Sequence, residues 1–96
     1  MHANSQKRAD KPTHKQSAQR LRKEGGRWLC ELRENCGLSQ RELADAVGIE
    51  LYTVISQLEH GRGFIPPDRY LIWADALDVE PDEFVRRVTS YYAQRN

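Results

Sequence analysis

The chain is 96 residues long, enough for one domain, and its 39% of hydrophobic residues suits a modest core such as a bundle of short helices. It has no run of about eighteen apolar residues, which excludes a membrane-spanning helix, and its polar, basic start is not the pattern of a secretory signal. The formal net charge of +1 hides an asymmetry: Met1–Glu24 carries seven Lys/Arg against Asp10 and Glu24, whereas the remainder carries eight basic and twelve acidic residues.

Residues 1–17 are polar, contain Pro12 and lack periodicity, so a disordered arm is expected there, followed by one folded unit over 18–96. The excess of Lys and Arg suits a flexible phosphate-binding tail, with an inert solvated leader as the alternative. Because the rest of the chain is mildly acidic, affinity for nucleic acid would have to come from local patches. A helix is expected from near Ala18, kinked or starting at Gly25-Gly26, since each Gly costs a helix roughly 1 kcal/mol relative to Ala. From Trp28 the pattern is firmer. Leu29, Leu32 and Cys36 recur at helical spacing as an inward face, and Gly37 stops the helix.

In the stretch Leu38–Gly61, LSQRELADAVGIELYTVISQLEHG, two short helices are joined by a tight turn. Ser39 and Glu42 form a capping box, in which each side chain satisfies a free backbone N–H of the first turn. Leu43, Ala44 and Val47 make an apolar stripe, and Gly48 ends this helix, about 39–47. The next helix, about 50–60, has Leu51, Val54, Ile55 and Leu58 on its apolar side and ends at Gly61. Leu51 falls at or near its cap, and Glu50 is the alternative capping residue, with a carboxylate that suits a helix N-terminus. The opposite face carries Tyr52, Thr53, Ser56, Gln57 and His60, which share one side of a helix. A polar, uncharged face on a short helix after a helix and a turn suits recognition of the major groove. An ordinary solvated face is the bland alternative. Glu50, at the edge of that face, would accept from a cytosine amine or repel phosphate.

Arg62–Pro67 is a loop, and Pro67 can open a fourth helix with Tyr70, Leu71, Trp73, Ala74 and Leu77 on its apolar side. Pro81 opens a fifth, about 81–94, with Asp82 and Glu83 in its favourable first turn and Phe84, Val85 and Val88 inward. No β-strand is expected. Cys30 and Cys36, six apart, point about 120° away from each other on a helix, so they are expected to be reduced, as in a cytoplasmic protein. The chain has no C-x-x-C, and His2, His14 and His60 are scattered, which argues against zinc. It also has no G-x-S-x-G, H-E-x-x-H or phosphate-binding Gly loop, so no enzyme, cofactor or metal is expected.

GLSQRELADAVG followed by ISQLEHGR, then IPP and a helix ending in ADALDVEPDEF, resembles the Cro/phage-repressor (XRE-type) helix-turn-helix family over about Gly26–Val85. Gly48 and Gly61 stand one residue further apart than is usual there, so a longer turn is expected. The resemblance implies an all-α, five-helix repressor-like DNA-binding domain behind the basic arm. Its expected role is transcription regulation, as a repressor reading double-stranded DNA. The resemblance further implies that Gln40 binds a phosphate, that Tyr52, Thr53, Ser56 and Gln57 form the base-reading face, and that Arg33 pairs with Glu59. Gln57 suits an adenine N6/N7 edge and Thr53 a thymine methyl. Arg41, Arg62 and the arm would position the DNA backbone.

A homodimer on an inverted repeat is expected, with recognition helices about 34 Å apart. Tyr91 and Tyr92 lie beyond the resemblance. Adjacent helical side chains diverge by about 100°, so at least one of the two is expected to stay exposed unless another chain covers it, which makes them candidate dimer contacts. Helix four and the loop after it are an alternative dimer surface. Two rival readings are an antitoxin that neutralises a toxin and binds its own operator, and an adaptor that uses the same fold to bind protein.

Overall fold

The computed structural model describes residues 14–92, all of whose regular structure is helical. Helix α1 spans His14–Asn35, α2 Gln40–Ala46, α3 Thr53–Glu59, α4 Tyr70–Ala76 and α5 Pro81–Tyr92, with a 3-10 turn, Pro67–Arg69, leading into α4. The arm expected over 1–17 falls largely outside the described residues; those from His14 onward belong to α1.

Helix α1 runs unbroken through Gly25-Gly26, where the sequence suggested a kink or a start. The reason is close packing. A Cβ on Gly26 would lie 2.5 Å from the Leu58 carbonyl oxygen and 2.6 Å from that of Glu59, so only a glycine lets α1 cross the end of α3 at this distance. A Cβ on Gly25 would lie 2.8 Å from the Cβ of Tyr91 on α5. The helical cost of two glycines is offset by two helix crossings.

The capping box opens α2: Ser39 Oγ accepts from the Glu42 N–H at 3.0 Å, and the Ser39 N–H donates to Glu42 Oε1 at 2.8 Å. Gly48 closes it with φ +77°, a left-handed conformation open to Gly without steric cost. The Ile49 N–H then reaches back to the Ala44 carbonyl at 2.8 Å, the bond that satisfies an end-of-helix carbonyl. The same pattern closes α1 with Leu38 on Arg33, α3 with Arg62 on Gln57, and α4 with Val79 on Ala74. In α4 the left-handed residue is Asp78, at φ 58°, so that end carries no glycine signal in the sequence.

The core is continuous across the five helices, with Leu29, Leu43, Val47, Ile55, Trp73, Leu77, Phe84 and Val88 buried together. Trp28 joins it, its ring 5.3 Å from Phe84 and 5.5 Å from Tyr91. Three residues expected to face inward do not. Leu51 is 67% exposed, because the turn runs through it and α3 begins only at Thr53. Leu71 is 65% exposed, on the outer side of α4. Cys36 lies just past the end of α1 and is exposed, although its thiol donates to the Leu77 carbonyl at 3.1 Å. Both cysteines are free thiols.

The C-terminal tyrosines behave differently from the expectation that one must stay exposed. Both are half-buried and packed against the core. Tyr91 lies beside Trp28 and accepts from Arg87 at 3.1 Å, while Tyr92 reaches Gly25. Burial pushes the Tyr92 phenol up to about 12. The bare backbone of Gly25 leaves room on α1 for both diverging rings at once.

Candidate nucleic-acid interface

The C-terminal end of α3 is held by a side-chain cluster reaching from three helices. Arg33 on α1 donates from Nε to Glu59 Oε2 at 2.6 Å and from Nη2 to Oε1 at 3.1 Å, a two-point grip that matches the carboxylate fork. Its Nη1 donates to the Leu38 carbonyl at 2.7 Å. Gln40, first residue of α2, donates from Nε2 to Glu59 Oε1 at 3.0 Å. The side chains of Arg33 and Glu59 retain only 11% and 4% of their exposure. Burial alone would raise the Glu59 carboxyl, but the hydrogen bonds from Arg33 and Gln40 outweigh it and hold the group below the usual carboxylate range. The Glu59 hydrogen bond in turn pushes the Arg33 guanidinium up. Both partners therefore stay charged, each held by several hydrogen bonds, which burial of an ion pair requires. An amide NH2 has two hydrogens, so Gln40 keeps one beyond the bond to Glu59.

The N-terminal end of α3 is built more loosely. No side chain caps it, and the chain enters through tight bonds from Val54 N–H to the Leu51 carbonyl at 3.0 Å and from Ile55 N–H to the Tyr52 carbonyl at 2.9 Å. Glu50 is exposed and does not serve as the cap. Tyr52 precedes the helix, and the Arg41 guanidinium lies 4.4 Å from the centre of its ring, a cation–π contact between α2 and the turn. The turn is also tied from outside: Arg69 donates to the Val47 carbonyl at 2.8 Å, a brace from 22 residues away with no local signal in the sequence.

Thr53, Gln57 and His60 are exposed at helical spacing along the outer side of α3, and Ser56 is half-buried beside them. His60 Nδ1 lies 2.7 Å from the Ser56 carbonyl oxygen; a carbonyl can only accept, so Nδ1 carries the hydrogen. Arg62 is exposed just past the helix end. Four predicted site residues, Gln40, Arg41, Arg33 and Glu59, thus gather where α2 and α1 meet the two ends of α3. Tyr91 and Tyr92 lie in a separate place, against α1 and Trp28. Sequence reasoning counted Lys23 only in the basic excess of Met1–Glu24 and missed Arg27; the two line a groove with Cys30, Glu59 and His60. Burial and the nearby Glu59 push the Cys30 thiol up, which keeps it a neutral wall of that groove. Among the described residues no group of His, Cys, Asp and Glu is arranged to hold a metal ion, and no helix is long and apolar enough to cross a membrane.

Two short packed helices joined by a turn, the second exposing an uncharged polar face and the first setting Gln40 of its opening turn against the end of the second, define a helix-turn-helix domain. Residues 31–84, more than half of the chain, match the Helix-turn-helix family of Cro/C1 (XRE) type. The chain belongs to that family, one of DNA-binding regulators that are generally not enzymes. No curated protein matches the chain.

Proposed function

We propose that the protein is a cytoplasmic, sequence-specific transcriptional repressor that binds an inverted-repeat operator as a homodimer. The observation that carries this is the outer face of α3. Thr53 and Gln57 are exposed and uncharged, on a helix whose far end is locked by Arg33, Glu59 and Gln40. Sequence is read by hydrogen bonds and apolar contacts to base edges, which such side chains make. Thr53, Ser56 and Gln57 are the base readers in this account. Tyr52, whose ring lies under Arg41, reads at the edge of the face and positions that guanidinium. Gln40, Arg41 and Arg62 then meet the backbone.

Dimerisation rests on a second observation. The tyrosines Tyr91 and Tyr92 are committed largely to α1, whereas Leu71 and Ile72 on α4 and Phe64 in the preceding loop are exposed. These exposed side chains favour α4 over the C-terminal helix as the pairing surface. The same apolar side chains would serve a toxin or adaptor partner if the chain neutralises another protein. The test is footprinting on the DNA upstream of the gene, with sedimentation of the wild type and of Leu71→Glu. A protected inverted repeat with half-sites about one helical turn apart, and a dimer lost in Leu71→Glu, would support the reading. A wild-type monomer on and off DNA would end the dimer claim. A Leu71→Glu chain that still pairs, set beside one truncated after Thr89 that does not, would return the interface to the tyrosines.

A further inference from the structure

A groove of about 340 Å³ runs between α1 and the end of α3, lined by Lys23, Arg27, Cys30, Glu59 and His60. Lys23, Arg27, Cys30 and Arg33 follow one another along a single side of α1. The position of Lys23 is fixed by the end of α3, because a Cβ on Gly61 would lie 2.8 Å from Lys23 Cγ and 3.0 Å from its Cα. The packed stem leaves the ammonium to reach into water, as long cationic side chains do.

The charge of this groove is uncompensated. Its lining carboxylate, Glu59, is consumed by Arg33 and Gln40, and among the described residues neither Lys23 nor Arg27 forms an ion pair. His60 spends Nδ1 on the Ser56 carbonyl and keeps Nε2 as its other ring nitrogen. His60 also continues the face of Thr53 and Gln57, so the groove adjoins the reading face directly. Lys23 and Arg27 precede the family-matched region, 31–84.

We propose that Lys23, Arg27 and His60 form a second backbone track, in which the phosphates flanking the bases read by α3 lie along the N-terminal half of α1. The proposal rests on the DNA-binding reading above. An open, cationic groove adjoining the reading face fits a polyanionic strand, whose successive phosphates meet Lys23 and Arg27 one helical turn apart.

The test is the salt dependence of binding of the full chain to its upstream DNA and to a random duplex of equal length. It compares wild type, Lys23→Gln/Arg27→Gln, Arg27→Gln alone, and the charge-preserving Lys23→Arg/Arg27→Lys. Glutamine keeps most of the stem that packs on Gly61, and thermal melts check that each variant is folded. The double Gln variant is expected to bind both duplexes more weakly by the same factor. Its log–log salt slope should be shallower by about 0.9 per lost phosphate, hence by about 1.8, and Arg27→Gln alone by about 0.9. The charge-preserving variant should keep the wild-type slope. An unchanged slope in the Gln variants, with wild type still discriminating its site, would remove the track and leave the reading face standing. A wild type that binds neither duplex would overturn both.

Discussion

The two ends of α3 are held by different means. At its C-terminal end Glu59 takes three hydrogen bonds from two other helices, and the backbone of α1 comes so close at Gly26 that no side chain fits between. At its N-terminal end there is no side-chain cap, Leu51 stands in water, and the contact of note is a guanidinium over an exposed ring. The difference shows where the helix gets its register. A buried charge pair tolerates little movement, because separating the partners strands a charge in the protein interior. A turn closed by backbone bonds and a surface cation–π contact can absorb an extra residue. The turn between Gly48 and Thr53 sits at this loose end, while Gln57 and His60 lie nearer the locked one.

The sharpest way to break this contrast is at the locked end. Removing either Arg33 or Glu59 by alanine should cost about 3–5 kcal/mol, as for other buried pairs. A double-mutant cycle on thermal stability should return a coupling well above the roughly 0–1 kcal/mol of an exposed pair. A coupling near zero would mean that the two ends do not differ. The pair also has a pH signature. The folded Glu59 carboxyl lies below its ordinary value of 4.5, so its stabilisation is complete above that pH and is lost as pH falls through the lower, folded value. Glu59→Gln should flatten the acid limb of stability in that window.

A smaller effect is expected at Gly26. Helix propensity says that alanine there would stabilise by roughly 1 kcal/mol, whereas the carbonyls 2.5 and 2.6 Å from the new Cβ demand a backbone shift. Overpacking should win, with a net loss of about 1–3 kcal/mol in denaturant titrations. A neutral or stabilising Gly26→Ala would show the close crossing to be loose. The smallest effect belongs to the open end. Arg41→Ala should lower stability by only about 0.5–1 kcal/mol, the worth of an exposed cation–π contact. It should weaken DNA binding on all sequences alike. A stability loss as large as that of the Arg33 variant would erase the contrast.

What the sequence made legible follows the same divide. Ser39 with Glu42, and the helix ends at Gly37, Gly48 and Gly61, are local signals, in which side chain and backbone partner lie within a few residues. Arg33 and Glu59, 26 residues apart, came from family resemblance, because no spacing rule links charges on different helices. The Gly25-Gly26 pair misled for a physical reason: propensity sees the entropy cost of glycine but not the neighbour that requires it. Leu51 and Leu71 fit helical periodicity and still face water, since periodicity marks a side of a helix without telling where the helix begins or what covers it. The Arg69 brace, the left-handed Asp78 and the Lys23–Arg27 groove exist only once distant segments have met.

The most direct test of the account is the affinity of Gln57→Ala for the cognate site and for a random duplex, measured beside wild type at one salt concentration. Gln57 is exposed on α3, so the change removes an amide with little effect on folding. A loss of roughly 1–3 kcal/mol is expected on the cognate site with little change on random DNA, which erodes discrimination. Equal losses on both, or none on either, would contradict the assignment of α3 as the helix that reads sequence.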